Sequence, residues 1–271
     1  MTGWADWLVA QGEADAASVA DVERVLEAAA LRPGDTVLDV GAGLGLLTLA
    51  AHERIGDGWV IAVDPSVGAL EDLLRLAHAA NASGIMYLVG DAEVLPLPDA
   101  SVDVAVLGAA LSEVADPGAA VRELARVLRS GGRLSLREPL PGDGAGRSAA
   151  VDWSPLGELG ARADALVAEH ESARPAPRID ARALEAELER AGFAELAATV
   201  ERTASLPATD AVDAYLDAGG NEDGDGTSLR ARWQAAFTRS ELESLVSHLR
   251  GAAEATALSG PPQLFLSARR S

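Results

Sequence analysis

Three short segments of this chain combine acids and glycines at spacings that suit recognition of a nucleotide-like ligand. The first is Gly41-Ala42-Gly43-Leu44-Gly45, preceded by Asp39 near the end of the apolar, β-branched run Thr36–Val40. Glycines let a backbone turn tightly and approach a ligand with no Cβ in the way. The Leu46–Ala50 run that follows suits a helix, whose start offers free N–H groups and the positive end of its dipole. The second segment is Asp64-Pro65-Ser66, with Asp64 lying 23 positions after Gly41. An acid at about this spacing accepts hydrogen bonds from ribose hydroxyls. The third is Gly90-Asp91-Ala92, after the apolar run Ile85–Val89. The dinucleotide fingerprint G-x-G-x-x-G would want glycine at position 46, which is Leu46. The spacing here is G-x-G-x-G, with an acid before the first glycine.

Positioning these groups requires strands that alternate with helices. Short apolar strands are predicted at Thr36–Val40, Trp59–Val63, Ile85–Val89 and Val104–Leu107, and a fifth strand at Arg133–Arg137. Buried parallel strands have this composition. A helix is predicted from Ser18-Val-Ala-Asp21, with Val22, Val25, Leu26 and Ala29 at helical spacing, and Pro33-Gly34 stops it. Ser66 is placed to cap a helix carrying Leu70, Leu73, Leu74 and Ala77. Asp116-Pro117 starts another, with Val121, Leu124, Val127 and Leu128 on one side. Further on come an Ala/Leu helix over 157–170, a capped amphipathic helix over 180–190, and strands at Phe193–Val200 and Gln263–Ala268. Helices are predicted at Asp210–Ala218, Leu229–Phe237 and Ser240–Arg250, with Thr238-Arg-Ser-Glu241 as a capping box for the last.

In this order the motifs resemble the class I S-adenosylmethionine (SAM) dependent methyltransferases. The G-x-G-x-G turn with its preceding acid is similar to their motif I, and Asp91-Ala92 to the pair that follows their third strand. The stretch from Glu93 to Asp103, and Arg126-Val-Leu-Arg-Ser-Gly-Gly-Arg-Leu134, resemble the menaquinone/ubiquinone-type members, methyltransferase type 11. Departures are visible. Leu97 and Val102 stand at phenylalanine positions, Ser130 replaces a proline, and Leu111-Ser112-Glu113-Val114 stands where the family has Leu-His-His-Val. The resemblance covers roughly residues 20–139.

It implies an α/β, Rossmann-like, doubly wound sheet of seven strands, the last antiparallel, with helical cap insertions. The expected organisation is an N-terminal helix at 1–17, a SAM-binding core at 18–139 and a cap segment at 140–178. A core helix and sixth strand follow at 179–202, a helical insertion at 203–260 and the seventh strand at 261–271. Implied cofactor-binding residues are Asp39, Gly41, Ala42, Gly43 and Gly45 for the methionine moiety, Asp64 and Pro65 at the ribose, and Asp91 and Ala92 at the adenine. Leu107 would line the site of methyl transfer. The implied reaction moves a methyl group from SAM to an O, N or C nucleophile of a small metabolite, leaving S-adenosyl-L-homocysteine. A catalytically silent SAM-fold regulatory protein and an NAD-dependent oxidoreductase are the alternatives.

Substrate-side candidates carry two readings each. Glu113 is either a general base, or a carboxylate holding a substrate amine or hydroxyl, or else a polar residue at a helix start. His170 is either a base in the cap or a surface histidine at a helix end. Trp4 and Trp7 either overhang the substrate entrance or pack a short helix onto the domain. Trp153 either walls an apolar pocket or packs a core. His52, His78 and His248 are expected on solvated helix faces. The loop Asn221-Glu-Asp-Gly-Asp-Gly226 resembles half of a calcium-binding loop, but Arg232 stands where the twelfth-position acid belongs, so no metal is expected.

Composition narrows the partners. A length of 271 residues with 48% hydrophobic content supplies a large core. A net charge of −20 speaks against a nucleic-acid backbone as partner. The absence of cysteine removes disulfides, thiolate metal sites and a cysteine nucleophile. No basic-then-apolar leader and no run near 20 apolar residues is evident, so a cytoplasmic protein with no membrane partner, monomeric or homodimeric, is expected.

Overall fold

The computed structural model describes residues 4, 16–140, 151–173, 179–202, 212, 216, 228–256 and 262–271. By internal contacts the chain divides into two compact units. One contains residues 1–140, 179–201 and 263–271, and the other residues 141–178 and 202–262.

The first unit is built on a seven-stranded sheet. Its strands are β1 (Thr36–Val40), β2 (Trp59–Asp64), β3 (Ile85–Val89), β4 (Val102–Gly108), β5 (Leu128–Pro139), β6 (Phe193–Arg202) and β7 (Pro262–Arg270). They lie in the order β3-β2-β1-β4-β5-β7-β6. β1 to β5 pair in parallel with one another, and β7 runs antiparallel to β5. The sequence of connections crosses outward from β1 in both directions, which puts a topological switch between β1 and β4. Its helices are α1 (Ala16–Ala29), α2 (Leu46–Ile55), α3 (Val67–Ala79), α4 (Pro117–Val127) and α6 (Ala181–Arg190).

Alternation along each strand assigns the two faces. Leu38, Val40, Ile61, Val63, Leu107 and Leu136 share a core with Val121 and Leu124 of α4 and Leu184 and Leu188 of α6. Val37, Val60, Val104 and Val106 face Val22, Val25 and Leu26 of α1 and Leu47 and Ala50 of α2. Ala62 joins Leu70, Leu73 and Leu76 of α3 in a third cluster. Covering both faces is what makes the strands read as continuous apolar runs.

Caps form where the sequence places them. Ser66 accepts from the Ala69 N–H at 3.2 Å. Asp116 and Asp180 accept from Ala119 and Ala183 at 3.1 and 2.8 Å. Several boundaries differ from expectation, and two of them bear on the sheet. α1 begins at Ala16, so Ser18 and Asp21 lie inside it, and Asp21 pairs with Arg137 of β5 at 2.8 Å. β5 begins at Leu128 rather than Arg133, because Leu128 already pairs with Val102 before an irregularity resets the register at Val104↔Arg133.

The second unit contains α5 (Gly157–Ala173), α7 (Leu229–Ala236) and α8 (Arg239–Thr256). Trp153, Val167, Trp233, Phe237, Leu245 and Leu249 form its core. The capping box is present: Glu241 accepts from the Thr238 N–H at 2.7 Å, and Thr238 Oγ1 from the Glu241 N–H at 3.4 Å. The helix predicted at 210–218 and the acidic loop at 221–226 lie outside the described residues, apart from Val212 and Leu216. Among the described residues no helix is long and apolar enough to cross a membrane.

Candidate cofactor site

Register brings the loop tips together at one edge of the sheet. Val40 pairs with Val63 and Leu107, and Asp64 with Val89. The segments beginning at Gly41, Asp64, Gly90 and Gly108 therefore leave from the same end of four adjacent parallel strands, where open α/β sheets bind ligands.

The turn after β1 is anchored to β2, because Gly41 and Ala42 donate to the Val63 carbonyl at 2.8 and 3.1 Å. Gly41 has φ +70°, and a Cβ there would meet the Ala110 Cβ at 2.7 Å. Gly43 has φ +51°, yet a Cβ there would find nothing within 4 Å. Packing thus demands glycine at 41, whereas at 43 the backbone faces open space. Beside the turn, Asp39 is 1% exposed and accepts from Thr48 Oγ1 at 2.6 Å. Its other oxygen, Oδ1, is buried with no hydrogen-bond partner. Burial pushes the Asp39 carboxyl up to about 7, with the charge of Asp64 adding to the rise and the Thr48 hydroxyl opposing it. An orphaned, desolvated carboxylate oxygen next to an open glycine turn fits a ligand that carries a cationic ammonium and a carboxylate.

Asp64 is only 8% exposed. Its oxygens accept from the Gly43 N–H and the Ser66 N–H, each at 2.9 Å. This carboxylate shapes the glycine turn and the start of α3 besides offering its remaining lone pairs at the rim. Pro65 beside it is exposed. Asp91 is exposed and accepts from the Glu93 N–H at 2.9 Å, while Ala92 is buried. Leu107 differs from expectation: its side chain is fully buried in the core against the α4 face, so at the rim the segment presents Gly108 and Ala109 instead.

The loop after β4 holds a residue that the sequence reading passed over. Glu138, at the end of β5, is 0% exposed. Its two carboxylate oxygens accept from the Leu111 N–H at 2.8 Å and the Ser112 N–H at 3.0 Å. Burial pushes its carboxyl up to about 7 against those hydrogen bonds. No local pattern in the polar-rich strand Leu128–Pro139 marks it, because the amides that it serves lie 26 and 27 residues earlier. Glu113 is exposed on the same loop, with its N–H on the Ala110 carbonyl at 3.2 Å.

The remaining candidates fall elsewhere. Trp4 packs on the clusters around α2 and α3 and donates its backbone N–H to Glu53 at 3.0 Å. Trp7 lies outside the described residues. In the second unit, Trp153 meets Trp233 edge-to-face at 5.9 Å, as core packing requires. His170 is buried, not a surface histidine at a helix end, because α5 continues to Ala173 with Ala163 and Val167 turned into the core. His248 contacts the Asp152 carbonyl at 2.8 Å and the Trp153 ring at 5.4 Å, so it is not simply solvated. Among the described residues no group of three or more His, Asp or Glu could hold a metal ion.

Sheet order and the antiparallel last strand give the core the Rossmann-like fold of solved methyltransferase structures. Residues 38–136 match the family model described as Methyltransferase domain (Methyltransf_11). The ubiquinone/menaquinone biosynthesis C-methyltransferase UbiE of Xanthomonas oryzae is 38% identical over 112 residues, 41% of this chain and 44% of that protein. The uncharacterized methyltransferase Rv3342 of Mycobacterium tuberculosis is 47% identical over 115 residues, 42% of each chain. These matches span less than half the length of those relatives. Among solved structures, the [4+2]-cyclase SpnF aligns over 93% of this chain and 80% of its own, with TM-score 0.59 and 22% identity. That likeness concerns the fold alone, so the fold by itself does not assign the chemistry.

Proposed function

We propose that this protein transfers a methyl group from SAM to an O, N or C nucleophile of a small-molecule metabolite. The observation that carries the reading is Asp39. Its buried, unpartnered oxygen stands beside a glycine turn that leaves open space at Gly43. In this reading Asp39 holds the ammonium of the methionine moiety. The Gly41–Gly45 turn and the start of α2 face its carboxylate. Asp64 takes the ribose, and Asp91 with Ala92 the adenine. SAM supplies an already activated sulfonium methyl, so the protein's share is alignment and exclusion of water. Glu113 is the exposed carboxylate on the loop after β4 and the candidate for receiving a substrate proton.

Calorimetric titration separates this reading from an oxidoreductase. S-adenosylhomocysteine is expected to bind at micromolar concentration and NADH not at all. Turnover of labelled SAM with a metabolite extract then separates an enzyme from a silent SAM-fold protein. Binding of NADH in place of S-adenosylhomocysteine would overturn the assignment.

A further inference from the structure

Glu138 is not among the acids assigned to the cofactor, and its geometry is that of a clamp. Two successive backbone N–H groups, of Leu111 and Ser112, point at its two oxygens. The loop that they belong to is fixed at its other end as well. Ala109 donates to the Arg137 carbonyl at 2.7 Å and has φ +65°, a left-handed conformation that a residue with a Cβ adopts only under constraint. Ser112 Oγ donates to the Ala109 carbonyl at 3.2 Å. Between these anchors sits Ala110, whose Cβ occupies the place that a side chain on Gly41 would need. The loop after β4 is therefore packed directly on the cofactor turn after β1.

We propose that Glu138 is a positioning residue: its carboxylate sets the 109–113 loop against the Gly41 turn, so that cofactor grip and acceptor-side loop are assembled as one piece. The inference rests on the methyltransferase reading for what the turn binds. Only an acceptor at both oxygens satisfies two converging amides. Glutamine at this position would present its NH2 to one of them, and an apolar residue would leave both buried without partners. Arg137, the neighbouring charge, is engaged by Asp21 at 2.8 Å, and Leu264, paired with Glu138 across β7, is uncharged. The two loop amides are thus the main reward for a carboxylate that burial otherwise disfavours.

The test compares Glu138→Gln, Ala110→Gly and the double variant of the full chain, with S-adenosylhomocysteine as the probe. In wild type the Leu111 and Ser112 amide protons should resonate downfield, as donors to a carboxylate. In Glu138→Gln at least one should move upfield, and affinity should fall about tenfold at pH 8. Ala110→Gly removes the contact on Gly41 and keeps the clamp, and it should weaken binding about threefold. In that background Glu138→Gln should cost much less than tenfold, because its route to the turn is gone. Equal losses in both backgrounds, or unchanged affinity in Glu138→Gln while wild type binds, would overturn the proposal alone. Should Glu138→Gln not fold, Ala110→Gly decides: weakened binding supports the coupling and unchanged binding overturns it. A wild-type protein that does not bind the probe overturns the methyltransferase reading, and the coupling with it.

Discussion

Thr48 on α2 donates its hydroxyl to Asp39 Oδ2 at 2.6 Å, while Asp39 Oδ1, equally buried, has no partner. One oxygen is thus satisfied by the fold and one is left for a ligand. Buried polar atoms without partners are uncommon in native proteins and call for an explanation. In the proposed reading that explanation is a cationic group arriving at the glycine turn.

The first prediction follows from the energetic position of that acid. The native state holds the Asp39 proton up to about pH 7, whereas the unfolded chain releases it near 3.8. Between these values the native state binds more protons, so this group's contribution to stability falls as pH rises. Asp39→Asn keeps the acceptor for Thr48 and removes the charge. It should be more stable than wild type above pH 7 by about 2–4 kcal/mol, with the difference vanishing near pH 4. S-adenosylhomocysteine affinity should fall by at least tenfold in the same variant, and in wild type should weaken below pH 7 as Asp39 protonates. Thermal melts and calorimetry across pH 4–8 read both.

Gly41 and Gly43 should respond differently to the same added methyl group. Alanine at 41 meets the Ala110 Cβ at 2.7 Å in a left-handed conformation, so stability should fall by about 2–4 kcal/mol. Alanine at 43 meets no atom of the protein and carries only the conformational cost, about 1 kcal/mol. Its affinity for S-adenosylhomocysteine should nevertheless drop tenfold or more, because the proposed reading assigns that space to the cofactor. A melting curve near wild type with normal binding for Gly43→Ala would place the ligand elsewhere.

Much of this was legible before any coordinates. Val104–Leu107 reads as a strand because both faces of a parallel sheet are covered there, which leaves an uninterrupted apolar run between Asp103 and Gly108. Ser66, Asp116, Asp180 and Thr238 announced helix starts because a cap is a local interaction between residues three apart. What could not be read were relations between distant parts of the chain. Glu138 serves two amides some 26 residues earlier, so nothing in its neighbourhood marks the role. Leu107 ends the predicted strand Val104–Leu107, but β4 runs on to Gly108 and side-chain alternation turns Leu107 into the core. His170 looked exposed because α5 was expected to end there.

Asp64 should prove to be a residue with two tasks. Its bonds to the Gly43 and Ser66 amides make it part of the turn as well as the predicted ribose acceptor. Asp64→Ala leaves both donors without their carboxylate and should cost about 1–3 kcal/mol of stability. Asp64→Asn keeps one acceptor and should recover most of that stability. Binding of S-adenosylhomocysteine should stay more than tenfold weaker in both variants, since the amide replaces an acceptor oxygen with a donor. Recovery of affinity together with stability in Asp64→Asn would leave the turn-shaping task alone.

Arg126 should act on the adenine end of the site from a distance. Its guanidinium donates to the Leu97 carbonyl at 2.7 Å, the Leu95 carbonyl at 3.0 Å and Glu123 at 2.6 Å. Glu123 in turn accepts from the Leu95 N–H at 2.8 Å. One planar cation thereby fixes the segment that follows Asp91-Ala92, a task that the point charge of lysine cannot reproduce. Arg126→Lys should lower stability by about 1–2 kcal/mol and weaken S-adenosylhomocysteine binding several-fold. Asp99, which meets the same guanidinium at 2.8 Å, is 79% exposed. Its replacement by alanine should change stability by less than about 0.5 kcal/mol. Thermal melts of the two variants side by side check the contrast. If Asp99→Ala proved as costly as Arg126→Lys, the surface ion pair rather than the grip on the Leu95 and Leu97 carbonyls would be holding the segment.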